Sequence, residues 1–228
     1  MKTIGLVGGM SWVSTAEYYR LANELVAERL GGLHSARILL ASVDFAEIEE
    51  LKRADDWDAV GERLASAAVR LQDAGADLVL LCTNTMHHVA HVLEARLSVP
   101  FVHLADTTAR AVVAAGIERV ALLGTAFTMN EAFYRDRVAS HGIEVMVPAP
   151  DDRARVSEII YDELVHDVVS ADSRSFYLEV VDRMVAAGAQ GVILGCTEIE
   201  LLIGPDDLPV PAFATTRLHV EAAVGLAL

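Results

Sequence analysis

The chain has 228 residues, 53% of them hydrophobic, which is enough apolar material for one large core or two cores of roughly 110 residues each. Its 18 Lys and Arg are outnumbered by 33 Asp and Glu, and the formal charge of −15 argues against a nucleic-acid partner or an anionic membrane surface, since either needs a basic patch. Met1-Lys2-Thr3 runs straight into a strand-like segment without a secretory leader, and no apolar run reaches the ~18 residues of a membrane-spanning helix, so a cytoplasmic protein with a small-molecule partner is expected.

Short β-rich runs alternate with longer amphipathic ones, and that rhythm predicts an α/β fold of mostly parallel strands flanked by helices. The first strand is expected over 3–7, followed by a helix over 14–30 that Gly31-Gly32 stops. A strand over 37–43, a helix over 57–74 closed by Gly75, and a strand over 77–82 come next. A helix over 85–97 and a strand over 100–103 complete the first half. The second half reads as a strand over 119–123, a helix over 129–140 and a strand over 143–147 that Pro148 and Pro150 interrupt. Helices over 153–166 and 173–187, the latter closed by Gly188, lead to strands over 191–195 and 210–213 and a final helix over 216–226.

The chain nearly repeats itself. Gly75-Ala76-Asp77-Leu78-Val79-Leu80-Leu81-Cys82-Thr83-Asn84 aligns with Gly188-Ala189-Gln190-Gly191-Val192-Ile193-Leu194-Gly195-Cys196-Thr197. Ile4-Gly5-Leu6-Val7-Gly8-Gly9 aligns with Val120-Ala121-Leu122-Leu123-Gly124-Thr125 in the same order. Two pseudo-symmetric lobes are expected, one from 1–103 plus 212–228 and the other from 104–211, with the final helix returning to the first. If the lobes face each other, the repeated strand ends meet in a cleft, where open α/β sheets put their ligands.

In this alignment Cys196 stands opposite Thr83, not opposite Cys82. Because strand side chains alternate, a cleft-facing Thr83 turns Cys82 away, as a small buried hydrophobe. A thiol just before a helix start is expected to gain from exposed backbone N–H groups, which favour the thiolate and make Cys196 a base or nucleophile. Thr83, Asn84, Thr85 and Thr197 are ordinary N-cap types; clustered at repeated strand ends they also form a cradle for a carboxylate, to which Ser11 and Thr125 add donors. Lys52 and Arg53 are candidates to grip an anionic side chain, or plain surface charges. His87 and His91 lie one helical turn apart but lack a third ligand, so no metal site is expected; His87, nearest the turn, is a substrate-positioning candidate. Lys2 and Lys52 are the only lysines, which excludes a Walker phosphate loop and a typical pyridoxal Schiff base, and there is no Gly-x-Gly-x-x-Gly fingerprint. No cofactor is expected.

With Gly8-Gly9-Met10, Asn84-Thr85-Met86-His87 and Gly195-Cys196-Thr197-Glu198, the chain resembles the cofactor-independent aspartate/glutamate racemases over essentially its whole length. The likeness is strongest to the branch specific for L-aspartate and L-glutamate or of broad amino-acid specificity, through Gly9-Met10-Ser11-Trp12, Leu33-His34-Ser35-Ala36, Ser42-Val43-Asp44-Phe45 and Cys82-Thr83-Asn84-Thr85-Met86-His87. The resemblance implies proton exchange at the substrate Cα with Cys196 on one face. On the other face members usually carry a cysteine directly before Asn-Thr, where this chain has Thr83. It also implies substrate contacts from Met10, Ser11, Lys52, Asn84, Thr85, Thr125, Thr197 and Glu198, with Lys52 or Arg53 in place of the arginine that many members carry after the second strand. A homodimer is the assembly to be tested. Rival activities of the same superfamily are hydantoin racemase, maleate isomerase and decarboxylase, and the non-enzymatic rival is a small-molecule sensor.

Overall fold

Strand β1 (Ile4–Gly8) is buried on both faces, which is why its sequence is apolar throughout and does not alternate. The computed structural model describes residues 1–228, and these divide into two units, Met1–Leu104 with His219–Leu228 and Ala105–Leu218. In the first unit β1 is the central strand of a parallel sheet, ordered β2-β1-β3, with β2 spanning Ile38–Ser42 and β3 Leu78–Leu81. Successive side chains enter two different cores. On one face Ile4, Leu6, Leu78, Leu80 and Cys82 pack with Tyr18, Leu21 and Leu25 of α1 (Trp12–Leu30) and with Val220, Ala223, Val224 and Ala227 of the last helix, α10 (Thr215–Ala227). On the other face Val7, Val79 and Leu81 meet Ile48 of α2 (Phe45–Arg53), Val60, Leu64 and Leu71 of α3 (Trp57–Asp73) and Leu93 of α4 (Ala90–Arg96). Each fully buried Leu or Val of this kind contributes about 1.5–3 kcal/mol relative to exposure.

The second unit holds a parallel four-stranded sheet, ordered β5-β4-β6-β7, with β4 (Arg119–Leu123), β5 (Glu144–Met146), β6 (Gly191–Leu194) and β7 (Ala212–Ala214). Its helices are α5 (Leu104–Ala114), α6 (Ala126–Asn130), α7 (Ala132–Ala139), α8 (Pro150–Asp162) and α9 (Ala171–Ala186). Pro150 opens α8 at a position where its missing N–H costs nothing. Ser170 caps α9 by accepting from the Ser173 N–H.

Several expectations need correction. The second lobe boundary falls after Leu218, not after 211, because β7 pairs with β6 and so stays with the second sheet. The first boundary falls after Leu104, one residue later than expected. The expected helix over 85–97 is broken at Val89, whose φ of −103° and ψ of 16° leave the helical basin, so a 3-10 turn, Thr85–Val89, precedes α4. Likewise extended Glu131, at ψ 147°, divides the helix over 129–140. The strand over 100–103 reduces to one bridge, Val79 to Phe101, made by the Val79 N–H to the Pro100 carbonyl and the Val102 N–H to the Val79 carbonyl, and α5 starts directly after it at Leu104. Helices α2 and α5 were not anticipated.

Candidate active site

Parallel sheets gather the carboxyl ends of their strands, and both repeated motifs lie at such ends. In the first unit the turn after β1 passes through Gly9 at φ 100°, where any Cβ would stand 2.2 Å from the Val43 carbonyl oxygen. The Gly9 N–H donates to Thr15 Oγ1 at 2.9 Å, and Ser11 Oγ accepts from the Ser14 N–H to cap α1. Beside this turn, the Cys82 N–H donates to the Val7 carbonyl at 2.9 Å and so registers the end of β3 against β1. Cys82 is fully buried in the same core as Leu78 and Leu80, and burial alone pushes its thiol well above the ordinary range. Thr83 is half-buried, one residue past that core-facing thiol.

The backbone of Thr83 is held by His87, which is 3% exposed. The Leu104 N–H can only donate, so the 3.2 Å contact makes His87 Nε2 an acceptor; Nδ1 therefore carries the proton and donates to the Thr83 carbonyl at 2.7 Å. His87 thus fixes a turn, where the sequence reading had it as a candidate to position substrate. With both ring nitrogens engaged, it has no lone pair to offer a metal ion. Deeper in the same unit Tyr18 and His219 form a second fixed pair. The Val102 carbonyl accepts from His219 Nε2 at 2.6 Å, so Nδ1 accepts from the Tyr18 hydroxyl at 2.9 Å. Burial, followed by the neighbouring His87, lowers the His219 pKa to about 3.

In the second unit the Gly195 N–H donates to the Leu123 carbonyl at 2.7 Å, and the chain then turns through extended Cys196 (φ −150°, ψ 134°) into a 3-10 turn, Thr197–Leu201. That geometry folds Glu198 back onto its neighbour, and Cys196 Sγ donates to Glu198 Oε2 at 2.8 Å. Burial, then the Glu198 charge, hold the Cys196 thiol well above its ordinary pKa. The thiol is thus the favoured form in this surrounding: a single 3-10 turn offers little dipole, and an adjacent carboxylate opposes a second negative charge. Tyr177 is also held protonated, by burial first and then by Cys196, while its hydroxyl donates to the Val156 carbonyl at 2.9 Å.

The remaining sequence candidates divide by location. Asn84 and Thr85 follow Thr83 into the first turn, with Asn84 buried and Thr85 half-buried, and Thr197 is half-buried beside Cys196. Met10, 5% exposed, packs its side chain in the core around Val7, Ile48 and Leu81. Thr125 Oγ1 accepts from the Thr128 N–H and lies 3.2 Å from the Thr128 hydroxyl, the work of an ordinary cap. Lys52, on α2, is ion-paired to Glu49 one turn back at 2.5 Å. Sequence reasoning did not anticipate that His87 holds the Thr83 backbone; the only prior signal was its place four residues after Thr83.

Each of the two all-parallel α/β units carries proton-transfer groups at its strand ends, hydroxyls in one and an acid-paired thiol in the other. The chain belongs to the Asp/Glu/hydantoin racemase family, whose profile matches residues 7–223, and is accordingly a cofactor-independent amino-acid racemase, an isomerase. An Asp/Glu racemase candidate from Yersinia pestis has a similar structure, with 49% identity, a TM-score of 0.96 and coverage of 100% of this chain and 99% of that one. An aspartate racemase homologue from Pyrococcus horikoshii is 30% identical, at a TM-score of 0.90 over 100% of this chain and 99% of its own. The broad-specificity amino-acid racemase RacX of Bacillus subtilis is 29% identical over 176 residues, 74% of this chain and 73% of that protein. No helix is long and apolar enough to cross a membrane.

Proposed function

We propose that the substrate is aspartate, glutamate or a broader set of amino acids, and that Cys196 exchanges the Cα proton on one face while Thr83 serves the other. The observation that carries this reading is the state of the two cysteines. Cys82 is sealed in the core, whereas Cys196 is half-buried at a strand end with its proton directed at a carboxylate. The alternation that buries Cys82 leaves Thr83 as the strand-end residue of the first motif.

The Cα proton of an amino acid is only weakly acidic, so its removal needs a strong, well-placed base and donors aimed at the carboxylate oxygens as the planar carbanion develops. A cysteine with a raised pKa is seldom ionised, but its thiolate is then correspondingly basic. Asn84, Thr85, Thr197 and nearby backbone N–H groups are assigned to the developing enediolate. A threonine hydroxyl returns a proton, directly or through water, far better than it removes one, so the enantiomer whose Cα–H faces Cys196 exchanges that proton with solvent much faster; resemblance to the L-specific branch makes it the L form.

The test is deuterium incorporation at Cα from heavy water, with separate L and D amino acids and no pyridoxal phosphate. Wild-type and Cys82→Ala proteins incorporate label, and Cys196→Ala does not. The reverse pattern rejects the reading, and binding of aspartate or glutamate without any exchange identifies a sensor. Loss of CO2 from the substrate in place of exchange identifies a decarboxylase.

A further inference from the structure

We infer that Glu198 is a positioning residue and not a substrate ligand: its carboxylate, hydrogen-bonded to Sγ of Cys196, holds the cysteine as a thiol and sets the pH at which sulfur becomes a base. This rests on the reading of Cys196 as a proton carrier. The 2.8 Å contact occupies one Glu198 oxygen with the thiol itself, inside one unit and two residues apart, so it depends on no other element. The local backbone enforces it, because extended Cys196 followed at once by a 3-10 turn returns the side chain at position 198 toward the one at 196.

A carboxylate in this place does two opposed things. It stabilises S–H by accepting its hydrogen bond, and it repels the thiolate. The population of base therefore falls, while the strength of each thiolate toward a reluctant Cα–H rises, the ordinary trade along a Brønsted relation. In the return step the same repulsion disposes the sulfur to keep the proton until the carbanion takes it. The other titratable group that acts on this sulfur is Glu200, which adds to the repulsion; Tyr177 is kept protonated, by burial first.

The experiment is carried out in the Cys82→Ala background, where Cys196 is the only thiol. Its alkylation by iodoacetamide is followed across pH 7 to 11, with the pH profile of Cα deuterium exchange measured beside it. Glu198→Gln keeps an acceptor but removes the charge, and is expected to lower the alkylation midpoint by about one pH unit or more. The alkaline limb of the exchange profile moves with it, and KM changes little. Glu198→Asp, which keeps the charge, retains a midpoint near that of the parent and shows that the turn still folds. An unchanged midpoint in Glu198→Gln overturns the inference, as does a raised KM without a shifted midpoint, the mark of a substrate ligand. A shifted midpoint in a protein that exchanges no amino acid upholds the thiol–carboxylate pairing and overturns the racemase reading alone.

Discussion

Acidification should unfold this protein through His219. The imidazole is fully buried, with Nε2 donating to the Val102 carbonyl and Nδ1 accepting from Tyr18, and its pKa is lowered from 6.5 to about 3. The unfolded chain takes up a proton at this residue as pH falls through 6.5, and the folded chain does not until about 3. A depressed folded pKa therefore gives stability that is complete above 6.5 and drains away between 6.5 and 3. At ~1.4 kcal/mol for each pH unit, this one ring costs about 2 kcal/mol between pH 7 and pH 5, and about 3 kcal/mol by pH 4. Those are large fractions of a typical folding free energy. Urea unfolding of the wild type and His219→Gln at pH 7, 6, 5 and 4 isolates the term, since every other titrating group is common to both. Glutamine can donate to the carbonyl and accept from the phenol, but it binds no proton. The variant should lose about 2 kcal/mol less than the wild type between pH 7 and pH 5. Equal losses in the two proteins would refute the reasoning.

Three further outcomes follow from the geometry. Thr83→Cys supplies a second thiol at the strand end and should raise deuterium exchange of the slow enantiomer by roughly 10-fold or more, as general-base gains go; no gain counts against Thr83 as the second proton carrier. Gly9→Ala forces a Cβ into the Val43 carbonyl at an already unfavourable φ, and should cost about 2 kcal/mol or more in urea unfolding. At the alkaline end the sign reverses relative to His219. The Cys82 thiol is pushed up by burial, so its contribution is complete below about 9 and is lost as pH rises, at ~1.4 kcal/mol per unit. Cys82→Ala should flatten the alkaline limb of the stability profile, as measured by the urea midpoint at pH 9 and pH 10.

The strands were legible because parallel strands covered on both faces must be apolar at every position, and Ile4–Gly8, Leu78–Leu81 and Gly191–Leu194 are. The period of two was enough to send Cys82 into the core with Leu80, away from Leu81. Helix α2 escaped notice since only Ile48 of its residues is buried and Glu47, Glu49 and Glu50 give it the look of a solvated stretch. Helix α5 was obscured by β-branched Thr107, Thr108, Val112 and Val113, although Leu104, Ala105, Thr108, Ala109 and Val112 do line one buried face at helical spacing. Met10, which the resemblance put among the substrate contacts, has its side chain in the core, a placement its position after a Gly-Gly turn did not reveal. The pairing of Cys196 with Glu198 was hidden for a different reason: residues two apart point the same way in a strand, but whether they touch depends on where the strand stops.

The first unit is sewn from two stretches that lie far apart in the sequence, Met1–Leu104 and His219–Leu228. Val220, Ala223, Val224 and Ala227 cover the same core that Ile4, Leu6 and Tyr18 occupy, and the Lys2 N–H is bonded to the Ala227 carbonyl. During synthesis β1 and α1 must therefore wait, with an apolar sheet face uncovered, until the much later α10 is made. The uninterrupted stretch between them can mature sooner. Nascent chains of this protein are thus vulnerable to aggregation and proteolysis at the β1 sheet until α10 is in place.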